Sequence, residues 1–174
     1  KSIVVVENGY HGHTQTGIEI SDYKFNSKRG TGQKDFILKL EIPDTFKGKY
    51  KAGDNDAGLK YANDAIEQLK NYKGSIAAFI SEPVLSCAGQ VPLAKNYLKN
   101  LYPKIKEKGG VCISDEVQTG FGRLGNHFWG YESQEVIPDI VVLGKPMGNG
   151  HPIGAVITTS EIAKSFETGV EFFS

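Results

Sequence analysis

Short apolar, β-branched runs recur along the chain and alternate with longer stretches in which apolar positions lie three or four residues apart. The short runs are typical of β-strands, and the longer stretches are typical of amphipathic helices. The predicted strands are Ile3–Val6, Ser75–Ser81, Gly110–Ser114, Ile140–Leu143 and Gly154–Thr158. Strands joined by helical crossovers form a mostly parallel sheet.

Two helices are predicted between these strands, Asp56–Asn71 and Ala94–Lys108. Their apolar positions at helical spacing are Leu59, Ala62, Ile66 and Leu69 in the first and Leu98, Leu101 and Ile105 in the second. The strand sequences IAAFI and IVVL are apolar without alternation, as expected of strands covered on both faces in the centre of a sheet. We therefore predict an α/β fold with three layers, α/β/α, around a mostly parallel sheet.

The segment 21–55 differs in composition, since it is rich in Gly, Lys and Asp and has one apolar stretch at Phe36–Leu40. It predicts a long excursion over the surface. At 174 residues the chain is long enough for one domain and too short for two ordinary ones. The chain opens directly with an apolar strand and stops in the aromatic run EFFS, so we expect both ends to be cuts through a larger protein.

The charged residues balance, with 20 Lys and Arg against 20 Asp and Glu. Without an excess field, neither nucleic acid nor an anionic membrane surface is an expected partner. No leader and no run approaching about 18 apolar residues is present, which favours a soluble, cytoplasmic protein. Cys87 and Cys112 lack metal-type spacing, and we expect both to be reduced and structural.

Ligands of parallel α/β sheets gather beyond the carboxyl ends of the strands, so the residues that follow each strand are the candidates for chemistry. After the first strand, Tyr10 and His11 lie between Gly9 and Gly12. Glycine permits close backbone approach to a ligand, and Tyr10 offers a flat face to a planar ring, although turn chemistry alone also explains this segment. Glu82 directly follows the predicted strand Ser75–Ser81, and a solvated surface carboxylate is the alternative there.

The strand GGVCIS continues into Asp115, Glu116, Val117 and Gln118. Two adjacent acids can serve a metal, but no His or third carboxylate accompanies them at usable spacing, so no metal site is predicted. Lys145 follows the strand DIVVLG directly. Burial there would lower the pKa of its amine, and a neutral amine forms a Schiff base with an aldehyde. A surface lysine in a glycine-rich loop is the alternative.

An aromatic residue, an acid and a lysine thus converge on one edge of one sheet. Pyridoxal phosphate requires that combination, since a lysine forms a Schiff base with its aldehyde, an acid keeps its pyridine nitrogen protonated and an aromatic residue stacks on its ring. The combination predicts a pyridoxal-phosphate site, which no single segment predicts by itself.

Three segments resemble the signature of class III aminotransferases, which are fold-type I pyridoxal-phosphate enzymes: EPVLSCAGQVPL, ISDEVQTGFGRLGNHFWGYE and PDIVVLGKPMGNGHPIGAV. SDYKFN and IPDTFKGKY are most similar to the branch that includes ethanolamine-phosphate phospho-lyases. The resemblance covers essentially all 174 residues and implies most of the large cofactor-binding domain. It also implies that the phosphate-binding loop, the N-terminal segment and the small C-terminal domain lie outside residues 1–174, as does a neighbouring-subunit threonine.

The resemblance assigns a role to each matching residue. Lys145 would be the Schiff-base lysine and, once displaced by the incoming amine, the general base. Asp115 would be the partner of the pyridine nitrogen, and Gln118 a hydrogen-bond donor to the phenolic oxygen of the ring. Tyr10 would stack on the ring.

The remaining matches lie around this set. His11 and Gly12 would complete the turn that carries the stacking aromatic, and Glu82 would be an acid near Asp115 on the substrate side of the cofactor. Arg123 occupies a motif position to which we assign a structural role before a catalytic one.

The resemblance implies a transaminase that transfers an amino group between an amine or amino acid and an oxo acid, and that forms a homodimer as a full-length protein. A phospho-lyase acting on a phosphorylated amino alcohol such as ethanolamine phosphate is the alternative within the same family. A non-catalytic fragment or fusion domain is the alternative of another class. We expect the isolated 174-residue chain to be inactive.

Overall fold

The computed structural model describes residues 1–169, and the EFFS run at the chain end lies outside the described residues. Its strands are β1 (Ser2–Val6), β2 (Ile37–Leu40), β3 (Ile76–Ser81), β4 (Val84–Leu85), β5 (Val91–Pro92), β6 (Val111–Asp115), β7 (Ile140–Leu143) and β8 (Ala155–Thr158). Its helices are α1 (Gln15–Glu19), α2 (Asp22–Phe25), α3 (Ala57–Asn71), α4 (Tyr97–Glu107) and α5 (Ser160–Phe166), with short 3-10 helices at Gly130–Gln134 and Lys145–Gly148.

The main sheet has six strands in the order β2-β1-β3-β6-β7-β8. All neighbours in it are parallel except β7 and β8, which run antiparallel. The mostly parallel sheet predicted from the sequence is therefore confirmed, and the five predicted strands agree with the observed ones to within one residue at each end. The carboxyl ends of β1, β3, β6 and β7 meet at one edge, which is where the candidate residues were expected.

Helices α3 and α4 cover one face of the sheet. Fully buried members of this core include Val4, Val6, Phe79 and Cys112 from the sheet, Ala62 from α3, and Leu98, Leu101 and Ile105 from α4. The predicted inward face of α4 is confirmed. That of α3 is confirmed for Ala62 and Leu69 but wrong for Leu59, which is exposed, and the helix also buries Tyr61 and Ala65.

A smaller cluster on the opposite face contains Val5 and Ile80 from the sheet and Phe25 from α2. Helices thus flank the sheet on both sides, in agreement with the predicted three-layer α/β/α class. Central burial was predicted for the apolar runs of both β3 and β7. It holds for β3, but Ile140 and Val142 of β7 are only half-buried, since β7 is one strand from the sheet edge.

The segment 21–55 is not only the surface excursion that its composition predicts. It contains β2, which pairs in parallel with β1 from Ile3 opposite Ile37 to Val6 opposite Leu40. The prediction was wrong because a short apolar run among Gly, Lys and Asp carries too little pattern to identify an edge strand. Its parallel partner β1, whose paired residues lie 34 positions earlier in the chain, supplies the hydrogen bonds that define the strand.

Candidate active site

A cavity of about 230 Å³ lies at the carboxyl edge of the sheet. Its walls are Tyr10, His11, Gly12, Glu82, Asp115, Val117, Gln118, Val142 and Lys145. The structure thus brings together, around one space, all seven residues that were selected from the sequence. They follow four different strands, so the topology of the sheet assembles the site from segments far apart in the chain.

Asp115 and His11 form a buried pair at the floor of this cavity. His11 Nδ1 lies 2.9 Å from Asp115 Oδ2, and the two side chains are 1% and 7% exposed. The other carboxylate oxygen, Oδ1, accepts a hydrogen bond of 3.1 Å from the backbone N–H of Val117. These two contacts fix the orientation of the carboxylate, because each of its oxygens has its own partner.

Glu82 is buried and fully engaged, which contradicts the alternative of a solvated surface carboxylate. Its Oε1 accepts a 3.0 Å hydrogen bond from the N–H of Tyr10, and its Oε2 accepts bonds from the N–H (3.1 Å) and hydroxyl (2.6 Å) of Ser86. The carboxylate therefore ties the turn after β1 to the segment after β3. Its proposed role on the substrate side remains a prediction.

The turn that carries Tyr10 is held by short local contacts. The N–H of His11 donates a 2.7 Å hydrogen bond to the hydroxyl of Ser21, and Gly12 adopts φ = 108°, a conformation that favours glycine. The ring of Tyr10 lies edge-on to Tyr23, with centroids 6.1 Å apart. These constraints fix the aromatic side chain at the cavity wall.

Lys145 lies directly after β7 with φ = 39°, in the left-handed region that non-glycine residues rarely adopt. Such a backbone is strained and is found most often at functional sites. The burial expected from the sequence is wrong, because the side chain is exposed at the mouth of the cavity. It makes no hydrogen bond or ion pair with any of residues 1–169, so its amine is accessible.

A second cavity of about 570 Å³ adjoins the first on the other side of Lys145. Its walls are Val84, Gln90, Gln118, Thr119, Arg123, Leu124, Lys145 and Pro146. Gln118 and Lys145 line both cavities. A ligand bound at Lys145 would therefore have one space for a planar ring and a larger, more open space beside it.

Sequence reasoning missed the residues that hold the site in place. Glu116 is completely buried and accepts four hydrogen bonds, from Ser114 Oγ, Thr119 Oγ1 and the N–H groups of Gly130 and Tyr131. Its only sequence signal was its position beside Asp115.

Asp22 was missed as well, since it falls in the segment interpreted as a surface excursion. It is buried, and it accepts a 2.7 Å hydrogen bond from the N–H of Asn8 and lies 3.0 Å from Lys39 Nζ. These contacts fasten the loop after β1 to β2. No local pattern could have identified Asp22, because both partners are distant in sequence.

Among residues 1–169 no cluster of three or more His, Cys, Asp or Glu side chains is arranged to hold a metal ion. Cys87 and Cys112 are both free. Burial raises the pKa of the Cys112 thiol to about 12 and also raises that of Cys87. Within the described part of the chain, no helix has the length and apolar character needed to span a membrane.

Comparison with known proteins places this geometry in a family. The family model for class III aminotransferases matches residues 1–171. The chain is 45% identical to alanine–glyoxylate aminotransferase 2-like of Drosophila melanogaster and 38% identical to ethanolamine-phosphate phospho-lyase homolog 1 of Caenorhabditis elegans. Both matches cover 100% of the chain, which spans 37% and 40% of the length of these relatives.

Solved structures agree with the sequence matches. A phospholyase from Arthrobacter in complex with phosphoethanolamine superimposes with a TM-score of 0.83 at 34% identity, over 99% of this chain and 41% of that one. The PMP-bound form of an aminotransferase from Vibrio fluvialis superimposes with a TM-score of 0.84 at 29% identity, over 97% of this chain and 38% of that one. Since the family model, the sequence relatives and the fold all agree, the chain belongs to the class III aminotransferase family.

Proposed function

We propose that this chain is the core of the cofactor-binding domain of a pyridoxal-phosphate-dependent transaminase. The observation that carries the proposal is the 230 Å³ cavity, which combines an accessible lysine amine, a carboxylate held by histidine, an aromatic ring and an amide in one space. This donor set fits a pyridine ring that carries an aldehyde and a phenolic oxygen. Family membership supports the choice of cofactor.

Each side chain of the cavity then has one task. Lys145 would bind the aldehyde carbon of the cofactor covalently through its Nζ. Asp115, oriented by His11 and by the N–H of Val117, would hold the proton on the pyridine nitrogen. Gln118 would donate a hydrogen bond to the phenolic oxygen, and Tyr10 would stack on the ring face.

The buried His11 ring keeps the Asp115 carboxylate in place. Its Nδ1 contacts Asp115, while its Nε2 is buried and has no hydrogen-bond partner among residues 1–169. The imidazole contacts only one oxygen of the Asp115 carboxylate, Oδ2. It therefore orients the carboxylate without binding its other oxygen. When bound, pyridoxal phosphate supplies an electron sink for charge that develops at the substrate carbon.

Lys145 would move the proton at the substrate carbon. Its amine is exposed and unpaired within residues 1–169, and it would serve as the general base that moves this proton. Its position between the two cavities lets it reach a substrate bound in the larger one. The substrate would be a small amine or amino acid, with an oxo acid as acceptor.

A phospho-lyase is the second candidate, and a specific observation favours it. The phospholyase from Arthrobacter, solved in complex with phosphoethanolamine, is 34% identical to this chain. In a transaminase the substrate nitrogen is transferred to an oxo acid, whereas in this alternative phosphate leaves the carbon next to the amine-bearing one. Both reactions use the same Lys145.

The remaining features of the protein are part of the same proposal. The whole protein would be a cytoplasmic homodimer that acts on small molecules, with neither nucleic acid nor a membrane as a partner. A balanced formal charge supports the exclusion of polyanionic partners. A non-catalytic domain is the alternative of another class, and product analysis distinguishes it from the transaminase and the phospho-lyase.

Product analysis tests the proposal. The full-length protein that contains residues 1–174 is incubated with pyridoxal phosphate and either an amino acid plus pyruvate or ethanolamine phosphate alone. Transfer of nitrogen to pyruvate supports the transaminase, and release of inorganic phosphate without transfer supports the phospho-lyase. Absence of both products, together with absence of covalently attached cofactor, would identify a non-catalytic domain.

A further inference from the structure

Arg123 was assigned a structural role from its position in the GFGR motif. Within residues 1–169, however, its guanidinium makes no contact that would support such a role. The residue is exposed and forms no hydrogen bond or ion pair within residues 1–169. It lines the 570 Å³ cavity beside Lys145 and Gln118. An arginine that stabilises a fold normally contacts a carboxylate or backbone carbonyls, and here neither contact exists in the described part of the chain.

The lining of this cavity is cationic. Arg123 and Lys145 are its charged residues, and none of its eight lining residues is acidic. The polar neighbours Gln90 and Gln118 can donate hydrogen bonds from their side-chain amides, whereas the hydroxyl of Thr119 already donates to Glu116. With Lys145 holding the cofactor, Arg123 would supply the positive charge and the two amides would supply hydrogen-bond donors, and no lining carboxylate would repel an anion.

The loop that carries Arg123 is held firmly, although the side chain is free. The N–H of Gly122 donates a 2.9 Å hydrogen bond to the carbonyl of Phe128, and the N–H of Gly120 donates one of 2.9 Å to the carbonyl of Glu116. The ring of Phe121 packs edge-on against Trp129, with centroids 5.2 Å apart. A fixed loop that presents an unpaired guanidinium to a cavity is typical of a binding residue.

We propose that Arg123 is a specificity residue that binds the anionic group of an amine substrate in the larger cavity. The inference rests on the proposed function, since Lys145 must hold the cofactor in the neighbouring cavity. The planar guanidinium binds the two oxygens of a carboxylate or phosphate at once. The two sources of such a group are an amino acid and a phosphorylated amino alcohol.

Anion titrations of the cofactor-loaded protein test this role. Calorimetry would measure the binding of inorganic phosphate and of acetate to the unmodified protein, to Arg123→Ala and to Arg123→Lys. The matched control is Arg29→Ala, which removes the only other arginine from an exposed loop that lines neither cavity. The absorbance of bound cofactor and the thermal unfolding midpoint would be recorded for every variant.

We expect Arg123→Ala to weaken anion binding by about 10-fold or more and Arg123→Lys to weaken it less, because a single hydrogen bond to a charged group is worth that much. Arg29→Ala should bind as the unmodified protein does, and cofactor absorbance should be unchanged in all variants. Tighter binding of phosphate than of acetate would indicate a phosphorylated substrate, and the reverse order would indicate an amino acid.

Three results would overturn the inference, each for a different reason. Equal anion binding by Arg123→Ala and the unmodified protein, or no binding by either, would remove Arg123 from substrate recognition. Loss of cofactor absorbance in Arg123→Ala would assign the residue to the cofactor instead. Absence of covalent cofactor from the unmodified protein would overturn the proposed function itself, and the inference with it.

Discussion

Asp115 and Glu116 are adjacent acids with opposite environments. Asp115 faces the cavity, and its carboxylate contacts His11 and one backbone N–H. Glu116 points into the protein, where its two oxygens accept four hydrogen bonds and anchor the 3-10 helix Gly130–Gln134. We infer that the first carboxylate serves chemistry and the second serves the fold.

Isosteric amides should separate these two roles. Glu116→Gln should lower the free energy of unfolding by about 2–4 kcal/mol, because the amide nitrogen faces buried donors and cannot accept from them. Asp115→Asn should cost less stability, about 1–2 kcal/mol, because its amide oxygen keeps one of two contacts and its nitrogen loses only the other. In the full-length protein it should lower kcat by about 100-fold or more, since a neutral amide cannot hold a proton on the pyridine nitrogen.

Urea unfolding and turnover measurements on both variants check this contrast. The two variants serve as controls for each other, because each replaces one carboxylate oxygen with nitrogen at neighbouring positions. Equal losses of stability, or equal losses of activity at unchanged stability, would contradict the separation of roles.

At the scale of elements, the start of α3 packs against the segment that precedes α4. A Cβ placed on Gly58 would lie 1.8 Å from the carbonyl oxygen of Lys95 and 3.1 Å from the backbone nitrogen of Tyr97. Both contacts are with backbone, which cannot rotate away as a side chain can. Glycine at position 58 therefore sets the distance between the two helices that cover the sheet.

Gly58→Ala should cost at least about 2–3 kcal/mol of unfolding free energy, since overpacked sites force backbone shifts. Gly53→Ala is the matched control: a Cβ there meets nothing within 4 Å, so its effect should stay within about 0.5 kcal/mol. Thermal or urea unfolding of both variants gives the comparison. An equal effect of the two substitutions would contradict close packing at Gly58.

The elements could be predicted from the sequence wherever the pattern was long or continuous. Runs such as IVVL and the helix at Tyr97–Glu107 carry enough apolar periodicity to be located without tertiary information. The strand Ile37–Leu40 could not be identified in the same way, because its pairing with β1 depends on a partner distant in sequence. Local pattern does not contain that information.

The candidate site, like the elements, could be predicted from the sequence only in part. Residues directly after parallel strands must meet at one edge, and for that reason Tyr10, Glu82, Asp115 and Lys145 could be grouped from sequence alone. Their environments could not be predicted, since exposure depends on what packs around each side chain. The exposed Lys145 and the fully hydrogen-bonded Glu82 are the clearest examples.

The main core of the molecule contains ionisable groups that remain neutral. Cys112, Tyr97 and Tyr102 are buried there, and burial raises the pKa of all three. For Cys112 the raised value is about 12. In the unfolded chain a thiol loses its proton from about pH 8.5 and a phenol from about pH 10.

The folded protein should therefore lose stability in alkali. Above about pH 8.5 the unfolded chain releases protons that the folded chain retains, so the free energy of unfolding falls as pH rises toward 12. Each fully shifted group contributes a slope of up to about 1.4 kcal/mol per pH unit. The stability these groups contribute is complete below pH 8.5 and is lost above it.

Cys112→Ala should flatten this decline between about pH 9 and 11, because the thiol no longer takes part in it. Urea unfolding at several pH values, with each variant compared with its own stability at pH 7.5, isolates the slope from the direct cost of the substitution. An unchanged slope would show that Cys112 ionises equally in the folded and unfolded chains.

At the scale of the whole molecule, four strands must converge for Lys145 to meet the other cavity residues. The most direct measurement is reduction with borohydride in the presence of pyridoxal phosphate, followed by peptide mass spectrometry, on the unmodified protein, on Lys145→Ala and on the exposed-lysine control Lys73→Ala. We predict one reduced adduct, on Lys145, that Lys73→Ala retains and Lys145→Ala lacks. An adduct pattern that is the same in all three proteins would contradict this prediction.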